Sequence, residues 1–167
     1  MKIAGFSKES IVDGEGYRYT IFVQGCAHAC PGCQNQETWD FNGGTYYDTK
    51  MVQKIVDEIA EDPIIDGVTL SGGDPFYQVE DCVDLVERLK KVREDLTIWA
   101  YTGFTWEEIQ KRPDLMKLAV KCDVIVDGPF ILCKRSLDVL FRGSTNQRLI
   151  DVRKSLECGK VVEYVTE

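Results

Sequence analysis

The sequence predicts an α/β fold: a single domain over residues 1–167 forming an open partial (βα) barrel of five to six parallel strands. Three observations predict it. Short apolar, β-branched runs alternate with stretches whose apolar positions recur at helical spacing, the order of parallel strands joined by right-handed crossovers. Gly72 and Gly103, which close successive strand runs, stand 31 residues apart, the length of one βα unit. Finally, a closed eight-unit barrel takes about 250 residues, so this chain supplies only five or six units.

Taken in order, residues 3–6 read as a short apolar strand, and residues 12–16, with Asp13, Gly14 and Gly16, as a turn. Residues 17–23 are aromatic and β-branched and alternate only loosely, as in a strand covered on both faces. Residues 25–33 form a loop, and residues 41–45, with Gly43 and Gly44, a connection. Met51, Val52, Ile55, Val56 and Ile59 mark a helix that Asp48 or Thr49 can cap. A buried strand over residues 67–71, a helix through Val79, Cys82, Val83, Val86 and Leu89, and a strand over residues 97–101 follow. Thr105 and Glu108 form a capping box for another helix, which Pro113 interrupts. Residues 124–127 are the next strand, and residues 147–152 and 161–165 the last two.

Composition narrows the function. At this length folding buries roughly 70% of the extended-chain surface, and no apolar run approaches the roughly 20 residues of a membrane span. With 28 acidic and 20 basic side chains the net charge is −8, which argues against a nucleic-acid partner. The charge is uneven: residues 1–130 carry 13 bases and 23 acids, residues 131–167 carry 7 and 5. Lys134, Arg135, Arg142, Arg148 and Arg153 are either a solvated face or a dock for a partner or a carboxylate. Seven cysteines, an odd number, without a signal peptide fit a reducing, cytoplasmic setting.

The chemistry centres on GCAHACPGC, residues 25–33, with Cys26, Cys30 and Cys33. Three soft thiolates within eight residues can close on one metal centre. A structural zinc site wants four ligands, whereas three cysteines on a four-iron cluster leave one iron open. His28 would complete a zinc set only by crowding the tetrahedron, so the count favours the cluster and zinc stays the alternative. Ligands in parallel βα folds gather at the C-terminal ends of strands. Those ends carry, in order, the cysteine loop, Gly72-Gly73-Asp74, Thr102-Gly103 and Asp127-Gly128. Each alone also reads as an ordinary turn; together they make a rim.

The spacing CxxxCxxC after an early strand resembles the radical S-adenosylmethionine superfamily. The run VDGEGYRYTIFVQGCAHACPGCQNQETWDFNGG (residues 12–44) is similar to one branch, the activating proteins of anaerobic (class III) ribonucleoside-triphosphate reductase. SGGDP (71–75), YTGFTWEEI (101–109), VDGPF (126–130) and FRGSTNQRLIDV (141–152) continue the likeness over almost the whole chain.

The resemblance implies one 4Fe-4S cluster on Cys26, Cys30 and Cys33, with S-adenosylmethionine on the open iron. It further implies reductive cleavage to methionine and a 5′-deoxyadenosyl radical. The radical takes a hydrogen from a glycine of the reductase large subunit, and a flavodoxin or ferredoxin is the reductant. Gly72, Gly73 and Asp74 match a GGE-type cofactor-binding motif, with aspartate in place of glutamate accepting from the ammonium. Thr102 and Asp127 match strand-end contacts to the cofactor. Gly32 stands where many members carry an aromatic residue against the adenine. No catalytic residue beyond cluster and cofactor is implied, and His28 becomes a loop-packing or cluster-tuning residue. Cys82 and Cys122 read as core, while Cys133 and Cys158 fall in the less regular tail.

Rival readings are an activase of the formate-lyase type, a ferredoxin-like electron carrier and a zinc-stabilised binding module. The short chain and residues 141–152 favour the reductase activator over the first. The second would need a fourth cysteine ligand and no rim.

Overall fold

The computed structural model describes residues 1–166. Side-chain alternation along the strands sorts the sequence onto two faces. In β2 (Arg18–Val23), Tyr19, Ile21 and Val23 join the large aliphatic core, while Arg18, Thr20 and Phe22 point the other way. The same division runs through β4 (Gly67–Gly72) and β5 (Thr97–Tyr101): Val68, Leu70, Ile98 and Ala100 enter the core. Thr69, Ser71, Trp99 and Tyr101 turn to the opposite face. In β6 (Val124–Asp127), Ile125 belongs to the first set, Val124 and Val126 to a smaller cluster around Trp99.

These four strands are parallel, β2–β4–β5–β6, and they form the centre of a seven-stranded mixed sheet. The edges are antiparallel: β1 (Lys2–Ser10) pairs with β2, β3 (Thr45–Tyr46) with β1, and β7 (Arg148–Asp151) with β6. The expected five to six parallel strands are therefore four. The physical reason lies in the connections, since a parallel return needs a crossover of about a dozen residues or more, usually a helix. The link from β1 to β2 is too short for one. The link from β6 to β7 carries only a 3-10 turn, Leu132–Lys134, so the chain comes back antiparallel.

The helices cover the aliphatic face. α1 (Thr49–Glu61) buries Val52, Ile55, Val56 and Ile59 of its predicted stripe; α2 (Val79–Val92) buries Cys82, Val86 and Leu89 of its own, with Leu85 completing the face in place of the half-buried Val79 and Val83. Asp48 caps α1, accepting from Met51 N at 2.9 Å. Both halves of the Thr105–Glu108 capping box form at α3 (Trp106–Gln110). Pro113 does not end the helical region; it takes the first turn of a new helix, α4 (Pro113–Ala119), where its missing N–H costs nothing.

Two differences fall near the C-terminus. The strand expected over 147–152 stops at Asp151, whose side chain caps α5 (Val152–Cys158), and Gly159 closes that helix at φ 69°. Residues 161–165 make no strand but one bridge, Ile150 with Glu163.

The sheet's other face is closed at one end by Arg18. Its fully buried guanidinium donates to Thr69 Oγ1 (2.7 Å), Glu15 O (2.9 Å), Thr97 Oγ1 (2.8 Å), Val68 O (2.9 Å) and Thr97 O (2.8 Å). It also lies 5.5 Å from the centre of the Trp99 ring. Burial lowers its pKa to about 10, with five neutral oxygens standing in for water.

Candidate active site

The cysteine loop leaves the C-terminal end of β2 and is pinned at its base by the segment that follows it. Gly25 N donates to Thr38 O at 2.7 Å and Cys26 N to Trp39 O at 3.2 Å. Gln24 Nε2 reaches Glu37 O and Asp40 O. Inside the loop the backbone turns twice through left-handed conformations, at Ala29 (φ 50°) and Gly32 (φ 77°), and Cys33 N closes back on Cys30 O at 3.1 Å. Those turns leave Cys26, Cys30 and Cys33 as half-buried free thiols. Asn35 N donates to Cys33 Sγ at 3.4 Å. Burial pushes the Cys26 thiol up to about 11, and the negative charge of Asp74 and the neighbouring thiols add to that, against a backbone hydrogen bond at His28.

The next strand end packs under this loop. Gly73 N donates to Val23 O at 2.8 Å and Asp74 N to Gly25 O at 2.9 Å. A Cβ on Gly73 would stand 2.4 Å from Gly25 O, and one on Gly72, at φ 98°, 2.5 Å from Val23 N. Both glycines are therefore required by close backbone approach, Gly72 to the end of β2 and Gly73 to the start of the cysteine loop.

Asp74 is 1% exposed. Its Oδ2 meets His28 Nε2 at 2.7 Å and accepts from Thr102 Oγ1 at 2.8 Å and Gly103 N at 2.9 Å; its Oδ1 accepts from Phe76 N at 2.9 Å. The cysteine loop, Gly72-Gly73-Asp74 and Thr102-Gly103 are thus one hydrogen-bonded unit. Asp127 stands outside it. That carboxylate, also 1% exposed, accepts from Arg148 Nε (3.1 Å), Nη2 (2.6 Å) and N (3.2 Å), and from Trp106 N (2.8 Å) at the start of α3. Arg148 holds Glu107 as well, at 2.8 Å, which keeps the Glu107 carboxyl below its usual range and raises the guanidinium further.

Beside the loop opens a cavity of about 760 Å³ on the sheet's polar face. Cys33 and Asn35 stand at one side, Ser71 and Tyr101 on the strands, and Phe130 and Arg135 on the segment that returns toward β7. Asp13 also lines it, its carboxylate accepting from Ser10 Oγ (2.6 Å) and Thr20 Oγ1 (3.1 Å).

Three residues carry roles that sequence reasoning missed. His28 was legible as a loop residue, but its partner Asp74 is 46 positions away. The tip of Leu132 occupies the space over Gly32, 2.7 Å from where a Cβ would sit, so an aliphatic side chain from a distant segment covers that glycine. Arg148 is committed to Asp127 and Glu107, which removes it from the basic docking group.

Among the described residues no three His, Cys, Asp or Glu side chains converge on one ion position. A four-iron cluster makes a different demand, since each thiolate binds its own iron. Three free, soft donors on one loop fixed at its base suit that demand.

Residues 12–150 match the family described as a 4Fe-4S single cluster domain, which spans the cysteine loop and every strand end of the rim. The chain is 40% identical over 140 residues to the anaerobic ribonucleoside-triphosphate reductase-activating protein of Haemophilus influenzae, covering 82% of this chain and 89% of that one. To the protein of the same name from Escherichia coli K12 it is 36% identical over 140 residues (82% and 90%), and to that of phage T4 37% over 142 (83% and 86%). The chain belongs to the anaerobic ribonucleoside-triphosphate reductase-activating protein family.

For a reductase-activating protein with a single-cluster domain, the other four cysteines divide clearly. Cys82 and Cys122 are buried, and burial drives both thiols far above their ordinary range, as for inert core residues. Cys133 and Cys158 are exposed on the C-terminal part of the chain. No helix among the described residues of this family member is long and apolar enough to cross a membrane.

Proposed function

We propose that this chain activates the large subunit of an anaerobic ribonucleoside-triphosphate reductase by generating its glycyl radical. Cys26, Cys30 and Cys33 hold a 4Fe-4S cluster whose fourth iron is left to S-adenosylmethionine. When bound, the two together supply a one-electron cleavage of the sulfonium and a carbon radical that takes a hydrogen atom from a glycine Cα. The cofactor does the difficult chemistry; the residues of the chain ligate, orient and keep the site dry.

Gly72 and Gly73, partly exposed beside the loop, offer backbone carbonyls to the ammonium, and Asp74, Thr102 and Asp127 set the strand ends from which that contact is made. The cavity beside Cys33 receives the nucleoside part and the partner's glycine, with Phe22, Phe130 and Phe141 limiting water. Its walls come from β1, β2, β4, β5 and the segment after β6, which fits a sheet curled into an open partial barrel. A cytoplasmic flavodoxin or ferredoxin is the electron donor in this reading.

The observation that carries the reading is the position of the cysteine loop. It lies at the C-terminal edge of the parallel strands, bonded to the Gly72–Asp74 turn and opening on a cavity of about 760 Å³. An electron carrier needs no such cavity. Anaerobic reconstitution tests it: about four irons per chain, release of methionine and 5′-deoxyadenosine on chemical reduction, and a glycyl-radical resonance on mixing with the reductase are expected. Zinc in place of iron, or iron without methionine release, overturns it.

A further inference from the structure

The Asp74 carboxylate is 1% exposed and unevenly engaged: His28, Thr102 and Gly103 converge on Oδ2 at 2.7–2.9 Å, and Phe76 N alone donates to Oδ1, at 2.9 Å. An oxygen carries about two lone pairs, so a ligand ammonium would reach Oδ2 only by displacing one of its three partners. His28, for its part, lies inside the loop between Cys26 and Cys30. Its ring sits edge-on to Phe104 at 4.6 Å and against Tyr77 at 5.5 Å, which leaves its side chain 16% exposed.

We propose that His28 and Asp74 are positioning residues, a latch that clamps the cysteine loop to the ends of β4 and β5. The aspartate thus serves the metal's ligands and not the ammonium of a bound cofactor. The surrounding glycines have the same purpose. A Cβ on Gly103 would meet the His28 ring at 2.5 Å, and one on Gly73 would meet Gly25 O at 2.4 Å. Asp74 N also bonds Gly25 O at 2.9 Å, so backbone and side chain of one residue grip the loop at two points. The latch accounts for aspartate at this position: one more methylene would carry the carboxylate past His28, Thr102 and Gly103 together. Preorganisation of this kind is how outer-shell groups tune metal sites. The inference rests on the cluster reading only in taking the three cysteines as ligands.

The test uses the anaerobically reconstituted chain with His28→Leu, His28→Gln, Asp74→Asn and the double variant His28→Leu/Asp74→Asn. Leucine removes the donor and glutamine returns an N–H near the position of Nε2. Asparagine keeps the shape but turns an amide N–H toward at least one of the four donors. Loss of iron to a chelator should quicken about tenfold in His28→Leu and in Asp74→Asn. The double variant should be no faster than the worse single, and His28→Gln should return to within about threefold of wild type. In the metal-free chain, amide hydrogen exchange over residues 26–33 should rise in both single variants while α1 and α2 stay protected.

Additive effects in the double variant overturn the latch. So does a weakened affinity for S-adenosylmethionine in Asp74→Asn with His28→Leu unchanged, the pattern of an ammonium acceptor. A wild-type chain that takes up no iron defeats the cluster reading instead, and the exchange measurement still decides the latch.

Discussion

Asp74 and Asp127 stand at the ends of β4 and β6, on either side of β5 in one rim, are equally buried, and are satisfied in opposite ways. Asp127 faces a guanidinium, and the pair continues outward to Glu107, so its charge is neutralised inside the protein. Asp74 receives hydroxyl and amide donors and an imidazole from the cysteine loop. The first arrangement holds secondary structure: Asp127 ties β7 to β6 and accepts from Trp106 N, the first N–H of α3. The second holds the cysteine loop against the ends of β4 and β5. Two identical side chains, placed alike by the sheet, thus divide architecture from chemistry, and the partner group decides which.

The largest separation of the two should come from the cysteines. Serine at Cys26, Cys30 or Cys33 is expected to abolish iron retention and cofactor cleavage, with the thermal unfolding of the metal-free chain unchanged. Retained cleavage would merge the two regions again. Next comes Arg148→Met, which strands a buried carboxylate and should cost about 3 kcal/mol, read as a lower denaturant midpoint. Iron release from the fraction still folded should stay at the wild-type rate. Asp74→Asn should show the reverse, a stability loss of about 1–2 kcal/mol from one unsatisfied donor with a clear effect on iron release. The smallest change belongs to Glu107→Gln, under about 1 kcal/mol because that carboxylate is exposed and screened. Arg148 holds the Glu107 carboxyl below its ordinary value in the folded chain. Its contribution is complete above the ordinary glutamate range, near about pH 4.3, and is lost as pH falls through the depressed value. Midpoints of wild type and Glu107→Gln should converge in acid and separate above that range; a constant gap would remove Arg148 as the cause.

Much of the frame was legible because it depends on neighbours in sequence. The Thr105–Glu108 box, the Pro113 break and the strands Thr97–Tyr101 and Val124–Asp127 follow from local propensity and capping, and they form where expected. The cysteine loop announced itself by composition. Strand direction at the edges did not, because nothing in residues 147–152 distinguishes a strand that returns antiparallel from one that follows a crossover. α5 was hidden for a related reason: Val152 ends an apolar run, while the cap at Asp151 that begins the helix reads equally as a strand residue. The use of Asp74 was illegible for a third reason, since motif likeness names a residue without saying which of its lone pairs are already taken.

Arg18 gives the molecule a direction. Its guanidinium and the Trp99 ring fill the interior at the base of the parallel strands, below the Asp13 carboxylate. What is left is a cavity floored at that end and open to solvent on the other side, where Ile11, Val12, Leu137 and Leu140 stand exposed around it and Cys33 lies on its wall. A guest therefore has apolar side chains to lean on before it meets a sulfur atom, and shaving those rim residues would weaken its capture without touching the loop.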